Sequence, residues 1–207
     1  MKMVSFDVRS SVAHFRRPDT TATHMTYPFI TPTAAKGLVG AILGIEDFVT
    51  GDKVGIQLLA PVMTVAQQLS MLGKDGGPSF NRPTTIELLI NPAYRIYYAG
   101  NEYVDDLYAC LRNNRSVYPA YLGSAYALTK PILFKYVERI NDVEADSQIL
   151  TTHTVVPIEL VDEIVFTPER EYSRAGGFLR EYMGQRTFQK SIDFLYERSG
   201  KSIQFEI

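Results

Sequence analysis

Along residues 1 to about 138 the hydrophobic period changes in the order strand, helix, strand, strand, helix, strand, and no other feature restricts the fold as much. Met3-Val4-Ser5-Phe6-Asp7-Val8-Arg9 alternates in part, as a half-buried strand does. Thr31-Pro32-Thr33 signals a helix start, with Thr33 as the cap, and Ala34 to Gly44 then carries Leu38 and Ile42 on one side, continued by Ile45. Val54, Ile56 and Leu58 begin a second strand, and Thr84 to Ile90 and Tyr94 to Ala99 are strand-like and together supply the third. Asn101 offers a cap to a helix in which Val104, Leu107, Tyr108 and Leu111 fall at helical spacing. Ile132 to Val137, apolar and aromatic, supplies the last strand. This is the ferredoxin-like order, in which two helices cover one face of an antiparallel sheet, so the expected class is α+β.

Two regions lie outside that order. Leu69 to Pro83 contains Gly73, Gly76, Gly77, Pro78 and Pro83 and reads as a loop or hairpin tip. Beyond residue 138 the chain looks β-rich, and a Ser199-Gly200-Lys201 turn is expected to pair Ile203, Phe205 and Ile207 with the segment around Ile192 to Tyr196. The expected organisation is a palm over 1–138, carrying an insertion at about 67–85, and a β-rich extension over 139–207.

Composition removes several function classes. The single cysteine, Cys110, excludes an intrachain disulfide and a multi-cysteine zinc site, and suits a reducing compartment. The longest apolar stretch, Gly37 to Ile45, falls short of the roughly 20 residues a bilayer needs, and Lys2, Asp7 and Arg9 interrupt any signal-peptide pattern. The expectation is a cytoplasmic protein with no membrane partner. A net charge of −2 argues against non-specific coating of nucleic acid, but the charge is unevenly placed. Between Arg139 and Arg170 there is no Lys or Arg, while Asp142, Glu144, Asp146, Glu159, Asp162, Glu163 and Glu169 are all acidic. Basic residues gather early, at Arg9, Arg16, Arg17 and Lys36, and late, at Arg170, Arg174, Arg180, Arg186 and Lys190. One basic and one acidic face would look like this, and so would a mixed solvated surface.

The first helix is unusual. Gly37, Gly40 and Gly44 share a face, although glycine inside a helix costs about 1 kcal/mol relative to alanine. Either a strand or a nucleic-acid backbone must approach closely there. The free N–H groups at the helix start form a natural anion site, and Lys36 is placed in that first turn, where a cation is favourable only if an anion binds. Ahead of the helix, His14-Phe15-Arg16-Arg17-Pro18 sets two guanidinium groups beside aromatic rings, the residue types that fork onto phosphates and stack on unpaired bases.

Ala13-His14-Phe15-Arg16-Arg17-Pro18, then Thr26-Tyr27-Pro28-Phe29, then Pro32 to Gly44 closely resemble the N-terminal signature of the Cas-five family. These are CRISPR-associated proteins of the RAMP superfamily and subunits of the type I Cascade complex. Tyr121-Leu122-Gly123-Ser124 is similar to a second family mark, although Ser124 and Ala125 stand where a basic residue often follows. The resemblance implies an RRM-like palm with a β-hairpin thumb and a protein that holds the 5′ handle of the crRNA. It implies the Cascade backbone subunit and large subunit as partners, with target DNA beside the recognition motif as a further candidate, and it implies no cofactor. On these grounds His14, Arg16, Arg17, Tyr27, Thr33, Lys36, Gly37 and Gly40 are the expected RNA-binding residues, and Met71, Leu72, Phe80 and Arg82 the expected thumb contacts.

Two alternatives stay open. One branch of the family resembles a metal-independent ribonuclease that uses tyrosine and an adjacent lysine and histidine. No such adjacent pair occurs here, and only His14, His24, Tyr27 and Lys36 are placed to meet in one site. The other alternative is a small-molecule enzyme or sensor of ferredoxin-like fold, with the glycine face closing over a ligand. No P-loop, G-x-G-x-x-G, G-x-S-x-G or HExxH pattern is present, and no metal site is expected.

Overall fold

The computed structural model describes residues 1–18, 20, 23–72, 81–141, 149–176 and 193–206. The strands in the first two thirds are β1 (Lys2–Arg9), β2 (Val12–Ala13), β3 (Lys53–Leu58), β4 (Thr64–Leu72), β5 (Asn81–Ile90), β6 (Ala93–Gly100) and β7 (Ile132–Val137). Two helices, α1 (Pro32–Leu43) and α2 (Val104–Arg112), interrupt them. Strands β8 (Leu150–Thr152), β9 (Val156–Pro157), β10 (Glu163–Ile164), β11 (Tyr172–Gly176), β12 (Asp193–Glu197) and β13 (Ile203–Glu206) follow.

The main sheet has the order β3-β6-β1-β7, and every neighbouring pair is antiparallel. Alternation in the strands divides its two faces. Val4, Phe6, Val8, Ile56, Leu58, Tyr94, Ile96 and Tyr98 are buried in one core with Leu38, Val39 and Ile42 of α1 and Leu107 and Leu111 of α2. The opposite face is polar and aromatic. There Arg95 donates from Nε and Nη2 to the Asp7 carboxylate at 2.7 and 3.0 Å, and its guanidinium lies 3.2 Å from the centroid of the Phe134 ring.

Both helices start differently from the expectation. Thr31, not Thr33, caps α1: its Oγ1 accepts from Ala34 N at 3.2 Å, and Pro32 takes the first helical position, where a missing N–H removes no bond. α2 has no side-chain cap of its own. The buried Asp52, far away in sequence, accepts from the backbone N–H of Asn101 at 3.1 Å and of Tyr103 at 3.3 Å, so the acid is supplied by tertiary contact. Gly100 makes room for it, because a Cβ there would lie 1.6 Å from Asp52 Oδ1.

Residues 69–72 and Pro83, read as loop, belong to strands. β4 and β5 form a long antiparallel hairpin from Thr64↔Leu89 to Leu72↔Asn81, and Pro83 pairs with Ser70. At that level β5 has β4 on one side only among the described residues, so a missing N–H interrupts no second ladder. The Gly- and Pro-rich tip, including Phe80, lies outside the described residues, as do Asp142, Glu144, Asp146, Arg180, Arg186, Lys190, Ile192 and Ile207.

The expected hairpin between 193–197 and 203–206 does not form. β12 pairs with β11 and β9, whereas β13 pairs with β8 and β10. The turn between them is present but pinned. Buried Glu197 accepts from Ser199 Oγ at 2.7 Å, Lys201 N at 2.7 Å and Glu171 N at 3.1 Å, and Val62 N donates to the Arg198 carbonyl. Gly200, at φ +83°, fits against the Leu58 carbonyl. Fixed to the end of β3, the turn sends its two strands into separate three-stranded sheets. Phe29 joins this region to the main core through edge-on contacts with Phe194 and Tyr196, at 6.1 and 5.4 Å between centroids.

Candidate nucleic-acid interface

The basic loop between β2 and α1 is an ordered ribbon rather than a free loop over most of its described length. Tyr27 N donates to the Phe15 carbonyl at 2.8 Å, Arg17 N to the Met25 carbonyl at 2.9 Å, and Phe15 N to Thr26 Oγ1 at 2.9 Å. The ribbon is laid along β5. His24 N donates to the Thr85 carbonyl at 2.8 Å, Glu87 N to the His24 carbonyl at 2.9 Å, and Thr26 N to Glu87 Oε2 at 3.1 Å. Buried Phe15 and Phe29 anchor its two ends in the core. Leu122-Gly123, the second motif, supports the start of the ribbon: His14 N donates to the Leu122 carbonyl, and Gly123, at φ +82°, lies against the His14 carbonyl.

This route brings cations together. Arg16 is exposed, reaching the Thr20 carbonyl at 3.5 Å, and Arg82 is exposed on the adjoining hairpin. Between them, burial and then the positive field of Arg16, His14 and Arg82 hold the His24 imidazole below the usual histidine range. Burial is the larger cause, and the contribution of the neighbouring cations adds a positive potential that favours a phosphate. On the other side of the ribbon, Arg17 and Tyr27 line a cleft of about 280 Å³ with Arg174, Tyr196 and Arg198. Arg174 is tied to Asp193, its Nε donating at 2.7 Å.

The remaining expected residues are placed elsewhere. His14 is buried, its Nδ1 donating to the Glu87 carbonyl at 2.8 Å, so it positions the ribbon instead of facing solvent. Lys36 lies in the second turn of α1 and donates its ammonium to the Thr50 carbonyl at 3.0 Å. Thr33, Lys36 and Gly37 border a separate depression beside Phe48, away from the cleft of Arg17 and Tyr27. The start of α1 is a poor anion cradle. Pro32 has no N–H, Ala34 N goes to Thr31 Oγ1 and Ala35 N to the Thr31 carbonyl, which leaves at most the Thr33 N–H. The glycine face is also divided. Gly40 packs beneath Phe48, Gly44 is the left-handed C-cap at φ +79° against Val117, and Gly37 alone is open, with nothing within 4 Å of its would-be Cβ. Met71 and Arg82 face each other in the hairpin, while Phe80 and the Leu72 side chain lie outside the described residues. His14 and His24 are neighbours, but Lys36 does not join them. Among the described residues no group of His, Cys, Asp and Glu could hold a metal ion, and no helix is long and apolar enough to cross a membrane.

His24, Arg174 and Arg198 were absent from the expected RNA surface. The late cluster of basic residues was the available signal for Arg174, and nothing local marked Arg198.

Residues 3–66, which include the whole ribbon and α1, match the family model described as CRISPR-associated protein (Cas_Cas5). Over that segment the chain is similar to Cas5 proteins. Two solved structures share its fold. A chain of a CRISPR RNA-guided surveillance complex superposes with a TM-score of 0.55 at 13% identity, over 98% of this chain and 90% of the other. A CRISPR protein from Archaeoglobus fulgidus does so with a TM-score of 0.55 at 11% identity, over 100% and 92%. At such identities the likeness speaks for the mixed α/β fold alone. No curated protein matches the sequence. The Cas5 match thus covers Arg16, Arg17, His24 and Tyr27, and stops before Arg82, Arg174 and Arg198.

Proposed function

We propose that this chain is a non-catalytic subunit of a cytoplasmic, type I CRISPR RNA-guided complex, and that it binds the 5′ handle of the crRNA across the ribbon and the base of the β4–β5 hairpin. The observation that carries the reading is that exposed Arg16 lies with His14 and His24 in the ribbon that matches the Cas5 model. Arg82, beyond that segment, adds to the positive field at His24 from the adjoining hairpin. Arg16 and Arg82 supply phosphate contacts. Arg17, Tyr27 and Arg198 form a second wall for the strand. The sheet order β3-β6-β1-β7, with both helices in one core, supports a ferredoxin-like palm over 1–138, and the β4–β5 hairpin is the counterpart of a thumb. Residues 139–207 form the extension, and the backbone and large subunits are the protein partners. The separation of Lys36 from His14 and His24 supports binding without cleavage.

The test is fluorescence anisotropy of a labelled, repeat-derived RNA titrated with wild type and with the Arg16→Ala/Arg82→Ala pair across a salt series. Loss of two phosphate contacts should weaken binding by about tenfold or more and flatten the log–log salt slope by about 1.4, at roughly 0.7 per contact on a single strand. The RNA should emerge at full length. Equal affinity and equal slope in the two proteins would remove the reading, and site-specific cleavage abolished by His24→Ala would replace it with the ribonuclease.

A further inference from the structure

Exposed apolar side chains are concentrated in one segment. Of the sixteen large ones exposed among the described residues, seven fall between Val117 and Phe134. Single exposed apolar residues are ordinary, but a cluster of this density marks a surface that another molecule covers. Part of it walls a groove of about 450 Å³ that shares no residue with the RNA surface. Buried Ile42, Leu111 and Ala120 lie at its base. Val117, Tyr118 and Leu128 form its sides, at 47%, 43% and 62% exposure.

Backbone bonds hold this shape. Val117 N donates to the Ile42 carbonyl at 3.1 Å and Tyr118 N to the Ala41 carbonyl at 3.0 Å, so this part of the wall satisfies the end of α1. Thr129 N donates to the Ala120 carbonyl at 2.9 Å, which fixes the chain between Leu128 and Lys130. A groove built in advance costs little ordering when it is filled.

Its charge has one sign. Arg115 and Lys130 line the groove and no Asp or Glu does. Residues 107–137 contain Arg112, Arg115, Lys130 and Lys135 but no carboxylate side chain. Among the described residues neither Arg115 nor Lys130 has a side-chain hydrogen bond or ion pair.

We propose that this groove docks a segment of a neighbouring protein subunit in which apolar side chains are flanked by carboxylates. The apolar base takes the side chains and the two rim cations take the acids, so the surface complements such a segment in both respects. RNA fits it less well. Tyr118 is the one aromatic ring among its lining residues, with aliphatic Ile42, Leu111 and Leu128 around it, so successive bases would find a single platform. The proposal does not rest on the RNA reading.

The test treats the complex purified with this chain from cells with a water-soluble carbodiimide, which joins a lysine amine to a carboxylate in contact with it. Mass spectrometry should find Lys130 linked to an Asp or Glu of another protein, next to apolar residues, with equal yield after ribonuclease digestion. In Leu128→Asp the yield should fall by about tenfold or more while the free variant melts as wild type does, because the side chain is exposed. Arg115→Glu should lower it by a similar factor, and answers for Leu128→Asp if that variant unfolds. The proposal is overturned if Lys130 links to no other protein, or only to a segment without apolar residues, or if the yield survives substitution in a folded variant. A link lost with the RNA while the protein partners stay bound overturns it in favour of RNA. A link to a second copy of this chain overturns it in favour of self-association.

Discussion

Substituting Gly123 by alanine should damage the protein more than its position in a surface turn suggests. Gly123 sits at φ +82°, a conformation that costs an L-residue about 1–2 kcal/mol. An added Cβ would also lie 2.1 Å from the His14 carbonyl oxygen and 2.9 Å from Phe15 Cδ1. The oxygen belongs to backbone and has little freedom to retreat, because His14 N is bonded to the Leu122 carbonyl and His14 Nδ1 to the Glu87 carbonyl. Relief of the clash sacrifices at least one of those bonds, at about 1 kcal/mol. The sum is about 2–3 kcal/mol, which for a chain of this length lowers Tm by about 4–12 °C. Gly37→Ala provides the opposite expectation. It adds a methyl group to open space in mid-helix, and should stabilise by about 0.5–1 kcal/mol. Thermal and urea unfolding followed by circular dichroism measures both, and Gly123→Asn, which tolerates positive φ but keeps the Cβ, separates strain from clash. If Gly123→Ala melts within a degree of wild type, or Gly37→Ala falls as far as Gly123→Ala, the account of the ribbon's support is wrong.

Two further expectations concern pH. Burial disfavours the Glu197 carboxylate, but hydrogen bonds from Ser199 and from the Lys201 and Glu171 amides outweigh it and hold the group below the usual carboxylate range. Its stabilisation is therefore complete above the ordinary glutamate value and is lost as pH falls through the lowered one; Glu197→Gln should melt lower at pH 7 and show a flatter acid limb, whereas parallel acid limbs would contradict the assignment. His24 is held below the usual histidine range, so the folded state favours its neutral form and loses stability as pH falls from the ordinary value towards the lowered one. By NMR its midpoint should rise in Arg16→Ala/Arg82→Ala, and rise further when wild type binds RNA, making RNA affinity increase as pH falls; an unmoved midpoint in both cases would dissociate His24 from the basic region.

Much of the fold was legible because it is written in local pattern. The period-2 alternation around Phe6, Ile56 and Ile96 and the 3.6-residue spacing of Leu38 and Ile42 follow from which side of one element faces the core. The Cas5 signature was legible for a similar reason, since the ribbon, its aromatic anchors and α1 lie within one stretch of sequence. The helix start was misread by two residues because Thr31 and Thr33 are both good caps and only geometry shows which side chain reaches Ala34.

What tertiary structure alone decided has one common cause: it depends on pairs of residues far apart in the chain, whose meeting no local spacing encodes. Asp52 caps α2, Glu197 redirects β13 into another sheet, and Phe48 fills the space over Gly40. Arg16 and Arg82 come within electrostatic reach of His24 only because the ribbon docks along β5, which the sequence did not announce. By itself the sequence determined a mixed fold of strands with two helices and the basic, aromatic character of the loop. Packing decided that His14, Lys36 and Gly40 serve the fold and that Arg16 and Arg82 remain exposed, because burial and hydrogen-bond satisfaction are properties of the assembled core.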